Sequence, residues 1–334
     1  MPESHAVPES PRNRVAGMRL PFIITKYNPE LEHAAHQETY RLAVSRGMTV
    51  LDALIRIKNE LDGRVTFRYS CRSAICGSCA MTINGSEKLA CRTSIRKEWE
   101  RHGKIDIAPL RHLPILKDLA VDMAGFWSKT RAVTPWLGGD SSSDHGLPVM
   151  PDAYQFHNVD ACIMCGACVA ACTSHEADQG FLGPAALAKA YRFIADPRES
   201  RAAKTARLAV LERPTGIWDC TRCNFCVQVC PKDVQPMEAI IRLRRAAIEA
   251  GFTQTGGARH VLGFKQLVAR FGRLNEAIMP LKVVGLHLTR LAQIMPLGIR
   301  MLLKGKVPNP LHPPIQGVEH VRRILTRPTR GGPV

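Results

Sequence analysis

From Arg19 onward, apolar and polar positions alternate along the chain, and the period of the alternation changes from segment to segment. "LPFIITKYN" (20–28) reads as a β-strand, and "ETYRLAVS" (38–45) as a second after a loop containing Pro29. "MTVLDALIRIKNEL" (48–61) places apolar residues at 50, 51, 54, 55, 57 and 61, near the helical period. Thr49 is its expected N-cap and Asp52 lies in its first turn. After a cysteine-rich loop at 71–79, "CAMTINGSEKLAC" (79–91) predicts strand, Asn-Gly turn and strand, a hairpin. "KIDIAPL" (104–110) adds another strand, completing a small α+β domain of about 95 residues. "LPILKDLAVDMAGFWSKT" (113–130) has the pattern of an amphipathic helix, and "GGDSSSDHGLP" (138–148) has the composition of a loop. Residues from Tyr154 to about Gly251 read as helical, and the last 80 as basic, Gly/Pro-punctuated and helical in pieces.

The 334 residues carry 46 Lys+Arg against 29 Asp+Glu, a formal net charge of +17. A basic chain can meet nucleic acid, anionic lipid or an acidic partner. No RNP sequence, helix-turn-helix signature or basic region with heptads is present, so a nucleic-acid partner is not expected. The N-terminal "MPESHAVPESPRNRVAG" is polar and Pro-rich without an apolar core, which is unlike a secretory signal. No uncharged run of 18 apolar residues predicts a membrane span. Twelve cysteines in such a chain point to a reducing compartment and metal binding, hence cytoplasmic residence.

The cysteines fall into three constellations. Cys71-x4-Cys76-x2-Cys79-x11-Cys91 has the spacing of a plant-type [2Fe–2S] loop, in which Gly77 lets the backbone approach the cluster. Zinc ribbons use paired C-x2-C knuckles instead. "CIMCGACVAAC" (Cys162, Cys165, Cys168, Cys172) and "CTRCNFCVQVC" (Cys220, Cys223, Cys226, Cys230) are each C-x2-C-x2-C-x3-C, an internal repeat offset by 58 positions. In two-cluster ferredoxins the fourth cysteine of each run ligates the other cluster. On that rule Cys162, Cys165, Cys168 and Cys230 hold one [4Fe–4S] cluster, and Cys172, Cys220, Cys223 and Cys226 the second. Three clusters on twelve thiolates would bring the net charge to about +11. No G-x-G-x-x-G, Walker sequence or Ser/His/Asp grouping indicates a nucleotide or a catalytic nucleophile.

With these motifs the chain resembles the iron–sulfur subunit of the succinate dehydrogenase/fumarate reductase family over about residues 20–250. The resemblance is carried by "KYNPELE", "TVLDALIRIKNEL", "YSCRSAICGSCAMTINGSEKLAC", "LRHLPILKDLAVDM", "CIMCGACVAAC", "GFLGPAALAKAYRFIADPR" and "CNFCVQVCPK". It implies an α+β architecture: an N-terminal β-grasp [2Fe–2S] ferredoxin-like domain, then an all-helical ferredoxin domain with a helical C-terminal extension. It implies a partner flavoprotein carrying FAD, a membrane-anchor subunit, and electrons passing indirectly to quinone. The implied role is electron transfer, at the inner face of the cytoplasmic membrane through partner subunits. The common member has a [3Fe–4S] cluster on the cysteines matching Cys172, Cys220 and Cys226, with an aliphatic residue where this chain has Cys223. Cys223 therefore points to [4Fe–4S] in place of [3Fe–4S]. The common member also has Pro-Ser and a tryptophan after the cysteine matching Cys172; "TSHEADQGF" lacks them, so no quinone pocket is expected there. Both departures resemble family members that pass electrons to a subunit with CCG domains, like those of heterodisulfide reductase. A heterodisulfide-reductase-like or other flavoprotein-linked oxidoreductase subunit is the alternative.

The expected organisation is a disordered tail (1–18), the [2Fe–2S] domain (19–113), a connector (114–150), the two-cluster domain (151–250) and a basic extension (251–334). The segment 279–306 mixes apolar residues with Lys282, Arg290, Arg300, Lys304 and Lys306. It suits an anionic membrane surface or a docking partner, and the partner is preferred because Pro280 and Pro296 should break a long interfacial helix. His157, His175, His260 and His287 lack metal-binding partners at i+4 and read as surface or structural, and Trp218 as packing.

Overall fold

The computed structural model describes residues 17–138, 158–285, 288–306, 309 and 311–326. The tail expected at 1–18 and the loop expected at 138–148 lie almost wholly outside these. Contacts divide the described residues into two compact units, one from Met1–Glu199 and Cys220–Ile240, the other from Ser200–Asp219 and Ile241–Val334.

The first unit begins with a five-stranded sheet built from β1 (Arg19–Lys26), β2 (His36–Ala43), β3 (Ala80–Ile83), β4 (Ser86–Leu89) and β5 (Ile105–Ala108). Its order is β2-β1-β5-β3-β4, with β1 and β5 parallel and the other pairs antiparallel. The period-2 pattern explains the burial: Leu20, Phe22 and Ile24 of β1 face inward beside Ile105 and Ile107 of β5. Helix α1 (Val50–Glu60) adds Leu51, Leu54 and Ile57 to that core. It starts where the sequence says it should. The Thr49 hydroxyl accepts the Asp52 amide at 3.2 Å, and Asp52 accepts the Thr49 amide at 2.9 Å, a reciprocal capping box. Asn84 and Gly85 both have positive φ, +49° and +75°, which a two-residue hairpin turn of type I′ needs. A helix not read from the sequence, α2 (Ile95–His102), follows the hairpin and ends on Gly103 at φ +65°.

The helix expected over 113–130 is only partly present. The segment forms a two-stranded ribbon, β6 (Ile115–Lys117) and β7 (Ala120–Val121), and only then α3 (Ala124–Ala132). The cause is tertiary. Asp118, between the two strands, is 1% exposed; its carboxylate accepts the amides of Tyr27 at 3.0 Å and Thr66 at 2.8 Å and lies 3.4 Å from Lys26 Nζ. These bonds to distant backbone hold the segment in a turn that local propensity would have wound into a helix.

The cysteine runs follow: α4 (Ala167–Ala170), α5 (Thr173–Ala177), α6 (Pro184–Ile194), then, after the chain has passed through the second unit, α8 (Phe225–Gln228) and the start of α9 (Pro236–Glu249). Pro184 sits in the first turn of α6, where its missing N–H costs nothing.

The second unit holds α7 (Arg201–Leu211), the remainder of α9, α10 (Gly256–Phe271), α11 (Met279–Val284), α12 (Leu288–Leu303) and α13 (Val318–Thr326). Trp218 is indeed a packing residue: its indole donates to Glu212 at 2.8 Å, the Arg244 guanidinium stands 5.3 Å from its ring, and Gly257 presses on its face. Only one of the two prolines acts as expected. Pro280 occupies the first turn of α11, and Pro296 lies inside α12, which runs on to Leu303. A proline removes one i→i−4 bond, and the turns on either side of Pro296 carry the helix across that loss.

Candidate iron–sulfur centres

The first set comprises Cys71, Cys76 and Cys79 on the loop before β3, and Cys91 just after β4. The hairpin turn fixes the register that returns Cys91 to the loop. Arg72, Ala74 and Gly77 have φ of +55°, +56° and +74°, so the loop curls and its amides turn inward. The N–H groups of Ser73, Ile75 and Cys76 point at Cys71 Sγ at 3.3, 3.4 and 3.3 Å, and that of Ala74 at Cys91 Sγ at 3.3 Å. Such donors stabilise sulfur that carries negative charge, as a cluster ligand does. A hydrogen bond from Ser78 lowers exposed Cys76 to about 6, while burial pushes Cys79 up to about 12.

Gly77 is also where this loop meets the next one. A Cβ there would stand 2.8 Å from Cys165 Cβ and 3.0 Å from the Ile163 carbonyl.

The two C-x2-C-x2-C-x3-C runs repeat in backbone as well as in sequence. The 3-10 turns Val159–Ala161 and Ile217–Asp219, the left-handed residues Met164 and Arg222, Gly166 and Asn224, and helices α4 and α8 all correspond at the offset of 58. Left-handed residues at every second position curl each run, and the short helix carries the fourth cysteine out of the curl.

The fourth cysteines cross over. Cys162, Cys165, Cys168 and Cys230 line one cavity, walled further by Ala185, Ala188 and Val234. Burial raises the thiols of Cys162 and Cys165, the latter to about 11, and Cys168 well above its ordinary value, with repulsion from other members of the set adding to it. The Val234 amide donates to Cys230 Sγ at 3.3 Å. Cys172, at the start of α5, feels Cys220 and Cys223, and Cys226 feels Cys220, Cys172 and Cys223. Burial raises Cys172 against the amides of His175 and Ser174, and raises Cys226 to about 12. Burial also opposes ionisation of Cys223, but donors led by the Thr173 hydroxyl, 3.5 Å away, outweigh it and lower this thiol. Among the described residues no three His, Cys, Asp or Glu side chains converge closely enough for one bare ion. Cys162, Cys165, Cys168 and Cys230 ring a space, as ligands of a polynuclear cluster would, and a thiol raised by burial gives up its proton when it binds metal.

His175, read from the sequence as surface or structural, is buried. Lys129 Nζ stands 3.3 Å from its Nδ1 and donates to the Phe181 carbonyl at 2.8 Å. Burial lowers both Lys129 and His175. Together with His112 they line a cavity beside α5 that sequence reasoning missed, because its residues are far apart in the chain.

A β-sheet domain presenting one four-cysteine loop, joined to a helical pair of interchanged cysteine runs, defines an electron-transfer protein of the iron–sulfur class. Residues 21–128 match a family described as "2Fe-2S iron-sulfur cluster binding domain" and 158–234 one described as "4Fe-4S dicluster domain". The chain is 38% identical over 224 residues to the "Fumarate reductase iron-sulfur subunit" of Escherichia coli O6:H1, covering 66% of this chain and 90% of that one. It is 38% identical over 235 residues to the protein of that name from Mycobacterium tuberculosis, covering 69% and 93%. A chain of the "Mycobacterium smegmatis Sdh1 complex in the apo form" shares the fold, with a TM-score of 0.64 at 21% identity over 72% of this chain and 99% of that one. The chain belongs to the succinate dehydrogenase/fumarate reductase family of iron–sulfur subunits, and is an electron-transfer subunit of an oxidoreductase complex.

Proposed function

We propose that this subunit carries electrons singly through three clusters, each on four thiolates. The set Cys71, Cys76, Cys79 and Cys91 would hold [2Fe–2S], and Cys162, Cys165, Cys168 and Cys230 would hold [4Fe–4S]. Cys172, Cys220, Cys223 and Cys226 would hold a second [4Fe–4S] rather than [3Fe–4S]. The observation that carries this reading is the crossing of Cys172 and Cys230 into each other's sets. When bound, the clusters supply one-electron redox chemistry at potentials set by cluster type, hydrogen bonding and exposure. The chain's residues hold them rigidly, donate amide N–H groups to their sulfur ligands and exclude water with alanine walls.

In this reading a flavoprotein carrying FAD performs the succinate/fumarate chemistry on one side. A membrane-anchor or CCG-domain subunit takes electrons toward quinone on the other, at the inner face of the cytoplasmic membrane. Cys223 is what favours the CCG type of partner. The test is anaerobic purification with subunit identification, iron analysis and EPR of oxidised and reduced protein. About ten irons per chain and no [3Fe–4S] signal in intact oxidised protein are expected. Zinc in place of iron, or a [3Fe–4S] signal undiminished by exclusion of air, would overturn the ligand sets.

A further inference from the structure

Helix α12 (Leu288–Leu303) has no acidic residue on it, and none occurs from Ala277 through Val318, a stretch that holds Lys282, Arg290, Arg300, Lys304 and Lys306. At 100° per residue, Thr289, Gln293, Arg300 and Lys304 fall in one strip about 60° wide. Met295, Ile299, Leu302 and Leu303 lie outside that strip and are 56%, 51%, 67% and 81% exposed. Leu297, also exposed, and Pro296 flank the strip on either side, and Arg290 lies about 40° beyond its edge. The apolar positions take up more than half of the circumference. A helix packed on a protein surface buries a stripe of about 100° or more, and apolar positions beyond that stripe stay uncovered. A wide apolar face beside a narrow polar strip whose only charges are basic fits the boundary between acyl chains and anionic headgroups. Of the two prolines expected to break a long interfacial helix, Pro280 opens the separate helix α11, and Pro296 leaves α12 uninterrupted. No described helix is long and apolar enough to cross a membrane.

We propose that α12 is an interfacial helix that seats this subunit on an anionic lipid surface through its own sequence. The apolar residues 295, 299, 302 and 303 enter the headgroup boundary while Arg300, Lys304 and Lys306 meet lipid phosphate. The test is flotation of the cluster-loaded full chain with vesicles of equal phosphatidylcholine and phosphatidylglycerol, against vesicles of phosphatidylcholine alone. Binding to the anionic vesicles, weakened by salt, is expected. Combined Arg300→Gln, Lys304→Gln and Lys306→Gln should weaken it on the order of 100-fold, about fivefold per charge, with the visible cluster spectrum unchanged. Leu302→Ser with Leu303→Ser should weaken binding to anionic vesicles without removing its salt dependence. Equal binding to both vesicle types, or none to either, overturns the proposal. So does a charge variant that floats normally yet no longer co-purifies with its partner subunits, which would make α12 a protein-docking helix.

Discussion

The contact between Gly77 and the Cys165 loop makes a sharp prediction, because it joins the first set of cysteines to the second. Gly77→Ala must adopt φ +74° and place a methyl 2.8 Å from Cys165 Cβ. The left-handed conformation costs an alanine about 1 to 2 kcal/mol. Carbon atoms pack at about 3.5 to 4.0 Å, so the loops must also part by about 1 Å. Overpacking of that kind costs about 1 to 3 kcal/mol, for a combined loss of about 2 to 5 kcal/mol. Gly85→Ala is the control, since Gly85 has φ +75° with nothing within 4 Å of its would-be Cβ. It shares the backbone cost and lacks the collision. The assay is the half-time of cluster bleaching in anaerobic urea. If the contact is broken in the unfolding transition state, Gly77→Ala should bleach roughly 5- to 150-fold faster than Gly85→Ala. EPR of the reduced protein gives the second readout: the magnetic interaction between the first and second clusters should weaken in Gly77→Ala alone. Equal bleaching of the two variants, with unchanged interaction, would refute the idea that this glycine sets the approach of the two loops.

Other outcomes follow from single side chains. Cys223→Ala should lose about one iron per chain and show a [3Fe–4S] signal when oxidised; unchanged iron content would remove Cys223 from the ligand set. Asp118→Ala leaves two half-buried amides unpaired and removes one partner of buried Lys26, and should cost about 3 to 5 kcal/mol in urea unfolding. Burial opposes ionisation of Asp196, but bonds from Arg198 and Arg192 hold its carboxyl below the usual range. Its stabilising effect is therefore full above the unfolded carboxylate pKa, about 4, and is lost as pH falls through the lower folded value. Asp196→Asn should melt lower at pH 7 and show a shallower decline below about pH 4. Iron removal by anaerobic chelation should raise amide hydrogen exchange over 158–177 and 220–236 while the strands of the sheet stay protected.

The strands and α1 were legible because their burial follows a local period and their ends carry chemistry, Thr49 with Asp52 and Asn84 with Gly85. The cysteine spacings were legible for the same reason: each loop makes most of its own geometry. Helix α2 escaped notice because only Ile95 and Glu98 of its eight residues are buried, too few to show a period. Residues 113–130 misled because Asp118 satisfies the backbone of Tyr27 and Thr66, partners 91 and 52 positions away. Pro296 misled because a rule for ending helices was applied to a residue that only interrupts one bond. Gly77 was read as giving access to its own cluster, and its collision with Cys165 belongs to a loop that no local pattern connects to it.

The exchanged cysteines also bear on stability. The chain leaves the first unit after Glu199 and re-enters it at Cys220, so the residues that mark its return are themselves proposed ligands. Each cluster would tie an early thiolate to a late one, closing loops of about 50 to 60 residues; by cross-link entropy each closure stabilises by about 4 kcal/mol. The packing around the runs shows why that contribution matters. Buried alanines are frequent around them, Ala167, Ala170, Ala185, Ala186 and Ala188, beside larger residues such as Leu187, Tyr191 and Ile194, whereas the sheet buries Phe22, Leu51, Leu54, Ile57, Ile83 and Ile107. Alanine leaves room for clusters and removes little apolar surface from water, so this part of the fold gains less from hydrophobic burial than the sheet does. In the proposed ligand sets iron would be both the charge carrier and the staple of the helical half. The sheet, with its own apolar core, has no comparable need of it, and that difference is the reason chelation should separate the two.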